Sequence, residues 1–199
     1  MHIKQIIAAL SLITLPLACA QAADYVIDTK GAHAAINFKI PHLGYSWLTG
    51  RFNKFSGEFS YDPEAPEKSS ISLTIDTASI DSNHAERDKH LRDEDFLYTG
   101  KFSEAKFVST SYEESSDGDG QLKGNLSLRG VTRPISITVQ KVGAGHDPWG
   151  GYRQGFSGTS KLVLKDFGID FNLGKASREV QLELYIEGIR KESGHPPGD

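Results

Sequence analysis

NHAERDKHLRDEDFL, residues 83–97, contains no glycine, proline or β-branched residue and is rich in good helix formers. Asn83 followed three residues later by Glu86 is a variant of the capping box, which predicts one short helix near residues 84–97. Most side chains here are charged, and Leu91 and Phe96 are expected to face inward. A helix this polar would be marginal alone in water, so we expect it to rest on the rim of a larger structure.

The chain on both sides of this segment alternates apolar and polar residues with the period of two that is typical of β-strands. We count eight or nine strands, and we interpret residues 50–61 as a single strand with a bulge near Asn53. So many antiparallel strands indicate a barrel or a sandwich, and the short helix favours a barrel with a lid. The predicted fold class is all-β, with residues 23–191 forming one domain.

Small residues on the apolar faces bear on whether such a barrel is filled. Gly124 shares a face with Leu122 and Leu126, and Gly158 shares one with Phe156. An eight-stranded barrel is just wide enough to be filled by side chains or to hold one small ligand. The glycines indicate either a cavity or bulges and corners of the barrel, and both alternatives stay open.

Residues 1–22 have the features of a secretory signal peptide: Lys4, an apolar run, and the small-x-small pattern at residues 20–22. Cleavage after this pattern predicts a periplasmic protein that begins at Ala23. The alternative is a lipidated Cys19, but residues 16–18 match the usual lipobox poorly. At the other end, residues 192–199 are expected to form a disordered tail.

Composition excludes several classes of function. Cys19 is the only cysteine, so the expected mature chain has no disulfide and no cysteine-ligated zinc. The formal charge is −4, from 22 basic and 26 acidic residues, and it becomes 21 − 26 = −5 without Lys4. An acidic chain without a long basic stretch argues against binding to nucleic acid and to an anionic membrane surface. We also expect no stable membrane insertion, because the apolar run of the leader is too short for a permanent span.

The sequence contains no recognisable catalytic or metal-binding motif. His84 and His90 lie about 240° apart around a helix, so they do not form a natural metal pair. The carboxylates of residues 86–95 alternate with basic residues, as on a solvated helix face, and do not indicate a glycosidase pair. Neither H-E-x-x-H nor G-x-S-x-G is present, and we expect no metal, no cofactor and no catalytic residue.

Residues 38–48 leave a predicted strand and enter a loop that is crowded with large apolar groups. Loops normally avoid such groups, so we expect Leu43, Tyr45, Trp47 and Leu48 to be covered by other parts of the protein. They either pack against the lid helix or together form the mouth of an apolar channel.

Several segments together resemble the YceI family of bacterial periplasmic, lipocalin-like proteins. In chain order they are ADYVID (23–28), HLGYSW (42–47), NHAERDKHLR (83–92), GVTRP (130–134) and DPWGG (147–151). The resemblance extends to about residue 191. It implies an extended eight-stranded antiparallel barrel that holds a long polyisoprenoid or isoprenoid-quinone lipid, and it implies no catalytic residue.

Given this resemblance, we expect the lipid to contact apolar residues of the strands, the loop and the helix. These are Phe38, Ile40, Leu43, Trp47, Phe52, Leu91, Phe96, Leu122, Gly124, Leu126 and Phe156. The candidate contacts for a lipid head group are His42, Arg87 and His90.

A soluble carrier that shields the lipid from water is the leading function, since each buried methylene-sized group contributes ~0.8 kcal/mol. The alternatives are an enzyme acting on the head group and a structural barrel with a filled core. The oligomeric state is open, and a homodimer is one of its alternatives.

Overall fold

The structure, a computed structural model, describes residues 22–192 apart from residues 116 and 118. The expected signal peptide, except for Ala22, and the expected tail, except for Glu192, lie outside the described residues. Eleven β-strands, one α-helix and four short 3-10 helices make up the regular structure of the described residues. The helix α1 spans Ala85–Arg92. The strands are β1 (Ala23–Ile27), β2 (Ala35–His42), β3 (Ser46–Phe52), β4 (Phe55–Tyr61), β5 (Ser70–Asp76), β6 (Ile80–Asp81), β7 (Glu104–Glu114), β8 (Asp119–Leu128), β9 (Val131–His146), β10 (Tyr152–Val163) and β11 (Glu179–Arg190).

Eight of these strands close into an antiparallel barrel, as predicted. The ring runs β1-β4-β5-β7-β8-β9-β10-β11 and returns to β1. Strand β11 is long enough to have two partners on the same edge: residues 181–185 pair with β2 and residues 188–190 pair with β1. The remaining strands β2, β3 and β6 therefore extend one end of the barrel beside β11.

The predicted single strand over residues 50–61 is wrong. Residues 53 and 54 separate β3 from β4, and the two strands have different partners: β3 pairs with β2 and β6, whereas β4 pairs with β1 and β5. The Asn53 amide donates to the Ser79 carbonyl at 3.1 Å, and the Lys54 carbonyl accepts from the Asp76 amide at 3.0 Å. The shift in side-chain parity thus marks a corner of the barrel rather than a bulge.

Helix α1 is shorter than predicted and has a different cap. The N-cap residue is His84, whose Nδ1 accepts from the Arg87 amide, and Asn83 precedes it in the left-handed region at φ 59°. The helix ends at Arg92, and residues 93–97 form a turn. A continuous helix would place Leu97 about 240° from Leu91, whereas the turn lets both side chains reach one apolar cluster.

Buried polar groups fasten α1 to the barrel. The Asp88 carboxylate is buried and accepts hydrogen bonds from the amide and the hydroxyl of Ser82, at 2.8 and 2.5 Å. Arg92 donates to the carbonyls of Ala78 and Ile80 at 2.8 and 2.7 Å. These contacts explain how so polar a helix is held. None of the helices among the described residues has the length and apolar character needed to cross a membrane.

Three clusters of buried side chains form the core. The largest fills the barrel, a small one around Ile36, Ile75 and Ala105 lies next to it, and the third lies under α1. Leu128 packs against all three clusters, so the apolar interior is continuous towards the helix. The helix therefore covers one end of the barrel, which is the lid position that the sequence predicts.

Candidate functional site

The barrel contains a cavity of about 130 Å³ with an almost entirely apolar wall. Alternate residues of the strands face it, as in the series Ile135, Ile137 and Val139 of β9. Its larger wall residues are Ile36, Phe59, Ile71, Leu73, Ile75, Phe107, Tyr112, Leu122, Leu126, Ile135, Ile137, Val139, Phe156, Leu182, Leu184 and Ile186. Seven strands of the ring and β2 contribute to this wall, so the cavity exists only in the folded barrel.

Three of the eleven residues expected to contact a lipid lie in this wall. They are Leu122 and Leu126 on β8 and Phe156 on β10. Phe156 packs edge-on against Phe59 and Tyr61, with ring centroids 5.8 and 5.2 Å apart. The alternation of β8 was thus sufficient to find one side of the cavity.

Four other expected contacts lie in the cluster under α1 rather than in the cavity wall. Phe96 is buried there, with Phe38, Phe52 and Leu91 packed against the same cluster. These side chains separate the cavity from the helix. They therefore close one end of the cavity, and their role in the structure is to hold the lid.

The β2–β3 hairpin holds three more expected contacts, and it also contradicts the predicted loop. Residues 38–48 form the ends of two paired strands, with Ile40 opposite Leu48 and Pro41 opposite Trp47. Three of the four side chains that we expected to be covered are exposed, Leu43 by 59%, Tyr45 by 87% and Trp47 by 49%, while Leu48 is half-buried. The hairpin projects from the barrel end, so Leu43 and Trp47 do not line the cavity, and Ile40 faces an outer groove.

Gly124 does not open space beside the cavity and is not in its wall, so of the two alternatives for the glycines the cavity does not apply to this one. A Cβ atom added to Gly124 would lie 2.4 Å from Cζ of Phe107 and 2.6 Å from the carbonyl oxygen of Val108. The ring of Phe107 covers the glycine, an arrangement in which the missing side chain admits an aromatic ring from the next strand. A ring also covers Gly188, but it belongs to Phe59 of β4, which is two strands away from β11.

Gly158 is the glycine that borders the cavity. It lies in the wall, and a Cβ atom added there would be 3.0 Å from Cγ2 of Ile137 and 3.6 Å from Cδ1 of Leu184. From the sequence, Gly124 and Gly158 were indistinguishable, since each shares a face with apolar residues of its strand. They differ because a large aromatic residue sits beside the first, while branched aliphatic residues face the second.

The three candidate head-group contacts have structural roles or lie apart from the cavity. Arg87 donates to the hydroxyl and carbonyl oxygens of Ser82, at 2.7 and 2.6 Å. His90 Nε2 is 3.2 Å from Asp95, and its ring packs edge-on against Phe96. His42 is exposed at the end of β2. None of the three lines the cavity.

A polar group that sequence analysis missed lies at the opposite end of the barrel from α1. The side chain of Glu114 is 10% exposed and accepts hydrogen bonds from the hydroxyls of Tyr61 and Tyr112, at 2.9 and 3.0 Å. Lys141 Nζ lies 3.3 Å from the same carboxylate. Burial raises the pKa of both tyrosines, and hydrogen bonding to Glu114 raises it further, so both phenols stay protonated. Tyr112 belongs to the cavity wall and joins it to this group.

Ser69 adds a further polar atom at the same end of the cavity. Its hydroxyl oxygen is buried in the cavity wall and has no hydrogen-bond partner among the residues that the structure describes. Buried hydroxyls are normally paired, so this group is available to a polar atom of a ligand. No sequence motif marks Ser69, which has no partner among the described residues, or Glu114, whose partners Tyr61 and Lys141 come from strands far away in sequence.

The outer face of the barrel carries an ion-pair network centred on Arg153. The guanidinium contacts Asp28 and Asp147 at 2.7 Å each and Glu187 at 2.5 Å. Asp28, Glu187 and His33 also place ligand atoms within 4.8 Å of one another, a spacing that could hold a metal ion. Arg153 Nη1 donates to the carboxylates of Asp28 and Glu187. The guanidinium therefore already supplies the positive charge that a metal ion would bring to this site.

This network explains the DPWGG segment. The Asp147 carboxylate accepts from the amides of Trp149 and Gly151, at 3.0 and 2.8 Å, and thereby shapes the β9–β10 turn. Burial alone would raise the pKa of Asp28, but the hydrogen bond from Arg153 and others lower it to about 2. The network therefore ties the end of β1 to the β9–β10 hairpin and indicates stability rather than catalysis.

The cavity can hold a small apolar group as it stands. A cavity of ~150 Å³ lined by Leu, Ile and Phe binds benzene, which is similar in size to one isoprene unit. At ~0.8 kcal/mol per methylene-sized group, five carbons would contribute about 4 kcal/mol. A longer chain requires wall side chains to move apart, among them the rings of Phe107 and Phe59 that cover Gly124 and Gly188.

A closed eight-stranded antiparallel barrel with an apolar interior and one helix over its end defines a lipocalin-like protein. A family model described as the YceI-like domain matches residues 25–188, and the chain belongs to the YceI family.

Comparisons with individual proteins agree with this assignment. The UPF0312 protein of Shewanella sp. strain W3-18-1 is 57% identical over 190 residues, which cover 94% of this chain and 99% of that protein. The crystal structure of the Campylobacter jejuni YCEI protein is 28% identical, with a TM-score of 0.70, and the match covers 77% of this chain and 91% of that one. A polyisoprenoid binding domain from Saccharophagus degradans has the same fold, with a TM-score of 0.60, 17% identity, and coverage of 86% and 100%.

Proposed function

We propose that this protein is a periplasmic carrier that holds the chain of an isoprenoid lipid inside its barrel. The apolar cavity is the observation that carries the proposal, because an apolar wall contributed by eight strands suits an unbranched or methyl-branched hydrocarbon. The likeness to a polyisoprenoid binding domain supports the same ligand class. The leader at residues 1–22 supports export.

The polar end of the lipid lies, in this proposal, at the barrel end away from α1. Ser69 offers an unpaired hydroxyl there, and Tyr112 offers a phenol that stays protonated. The Ser69 hydroxyl can pair with a hydroxyl or donate to a quinone carbonyl, whereas the Tyr112 phenol donates its proton to Glu114 and can only accept from a ligand. The arrangement supports binding without turnover, since Tyr61 and Tyr112 pair with Glu114 and the Ser69 hydroxyl has no base within hydrogen-bond distance among the described residues.

The decisive experiment is native mass spectrometry of the protein purified from the periplasm of its own bacterium. We expect a chain that begins at Ala23 and carries one lipid, whose mass and fragments identify an isoprenoid. A bound phospholipid, or a protein that takes up no prenyl compound when offered one, would contradict the ligand class. A mass corresponding to an acylated Cys19 would contradict cleavage at Ala23 and place the protein on a membrane anchor.

A further inference from the structure

The tip of the β2–β3 hairpin exposes three large apolar side chains side by side. Tyr45 is 87% exposed, Leu43 59% and Trp47 49%. The turn places Leu43 and Gly44 in the left-handed region, at φ 54° and 83°, and the Tyr45 amide donates to the His42 carbonyl at 2.9 Å. Leu43 therefore adopts a backbone conformation that a bulky side chain rarely takes, and its side chain is largely exposed at the edge of an outer groove.

A second segment, residues 171–178, supports this hairpin from the side. The Ser177 hydroxyl donates to the Pro41 carbonyl at 2.5 Å, and Leu173 and Leu48 line a groove between the two segments. At its start, Phe171 is 44% exposed and contacts the ring of Phe96 at a centroid distance of 5.1 Å. The segment that supports the hairpin thus also carries an exposed apolar side chain against the turn that follows α1.

The charges around this surface are distributed unusually for an acidic chain. The chain has 26 Asp and Glu residues, yet none lies between residues 39 and 57 or between residues 171 and 178. Basic residues do occur there, and part of their charge is balanced from other strands: Lys39 pairs with Glu183, and Asp81 lies near Arg51. The tip is therefore free of carboxylates without being strongly basic.

We propose that the hairpin tip inserts reversibly into the interfacial region of a lipid bilayer. Tyrosine and tryptophan favour this region because each combines an apolar ring with a polar group, as Tyr45 and Trp47 do here. Leu43 adds further apolar area for burial among the lipid chains. A tip without carboxylates meets lipid phosphates without repulsion. The whole-chain charge of −4 argues against attraction by anionic lipids, so the apolar side chains must provide the binding.

A bilayer fits this surface better than a protein partner does. A stable protein interface buries about 800 Å² on each partner, which is more than a few side chains at the tip of a two-stranded hairpin offer. The tip is also convex and narrow, a shape that inserts between lipids. Docking here goes beyond the carrier proposal, and it would bring the end of the barrel covered by α1 next to the membrane.

The two tryptophans of the chain provide a site-specific test, because they lie at opposite ends of the barrel. Trp47 lies opposite Pro41 of β2, and β2 runs beside the start of β11, where Lys39 lies opposite Gln181 in the sheet. Trp149 lies in the β9–β10 turn near the end of β11, since Arg153 pairs with Ile189, and it is 77% exposed. Trp149→Phe leaves Trp47 as the only reporter, and Trp47→Phe leaves Trp149 as a matched control.

The protein used begins at Ala23, because the apolar leader would itself bind lipid, and this form contains all eleven strands and α1. Vesicles of phosphatidylcholine with brominated acyl chains, free of isoprenoids, are added to each single-tryptophan variant. We expect the emission of Trp47 to shift to shorter wavelength and to be quenched, while that of Trp149 stays unchanged. Equal responses from both, or no response from Trp47, would overturn the proposal.

A second pair of variants tests which side chains provide the binding. Leu43→Ser combined with Tyr45→Ser should lower vesicle binding about tenfold or more, whereas Val142→Ser, a 72% exposed residue on β9, should leave it unchanged. Binding should change less than about twofold when salt is raised to ~0.5 M. Binding that requires phosphatidylglycerol and disappears in salt would contradict apolar insertion. Self-association in sedimentation that the double variant abolishes would instead identify a second copy as the partner.

Discussion

Gly158 provides the most direct test of whether a ligand occupies the barrel interior. The substitution Gly158→Leu adds four carbons at the cavity wall, where the first of them would lie 3.0 Å from Cγ2 of Ile137. That contact is tight, so overpacking should cost ~1–3 kcal/mol of unfolding free energy. Four carbons displace about four methylene-sized groups of a ligand, which removes about 3 kcal/mol of binding and raises Kd roughly 100-fold.

The assay is a calorimetric titration with geraniol, an alcohol of two isoprene units, together with a melting curve of each variant without ligand. Thr159→Leu is the matched control, because Thr159 is the next residue of β10 and faces outward. We expect the control to bind geraniol as the unchanged protein does. If folded Gly158→Leu binds geraniol as tightly as the control, the ligand does not lie in the cavity and the reasoning fails.

Three further outcomes follow from the contacts described. Gly124→Ala should lower the unfolding free energy by ~1–3 kcal/mol, because its Cβ would lie 2.4 Å from the ring of Phe107, and an unchanged urea midpoint would contradict this. The pKa of Asp28 in the folded state is about 2, below its ordinary value of 3.8. Ionised Asp28 therefore adds about 2 kcal/mol to the unfolding free energy above pH ~4, and this contribution is lost as the pH falls towards 2. Urea midpoints between pH 2 and 6 should accordingly fall less steeply for Asp28→Asn. Asp88→Ala leaves the buried Ser82 amide without its acceptor, so amide hydrogen exchange should accelerate in α1 while the strands stay protected. Equal acceleration in α1 and the strands would mean that the helix does not open independently of the barrel.

Local patterning was enough to predict much of the fold. Alternation of side chains along β8 and β11 placed them as strands with an apolar inner face, since the period of two is a property of the extended chain. The alternation along β8 and β10 identified Leu122, Leu126 and Phe156 in the wall of the cavity. Helix formers without glycine or proline predicted α1, although its end at Arg92 depends on how Leu97 packs.

The sequence alone determined that this is a chain of antiparallel strands with one polar helix, because those features depend on neighbours within a few residues. Only the tertiary structure decided what depends on residues that are distant along the chain. The corner at residues 53 and 54 exists because β3 and β4 have different partners. Gly124 is covered because Phe107 lies on the neighbouring strand. Arg153 meets Asp28 across 125 residues because the ring closes between β1 and β11, and the cavity exists only in the folded barrel.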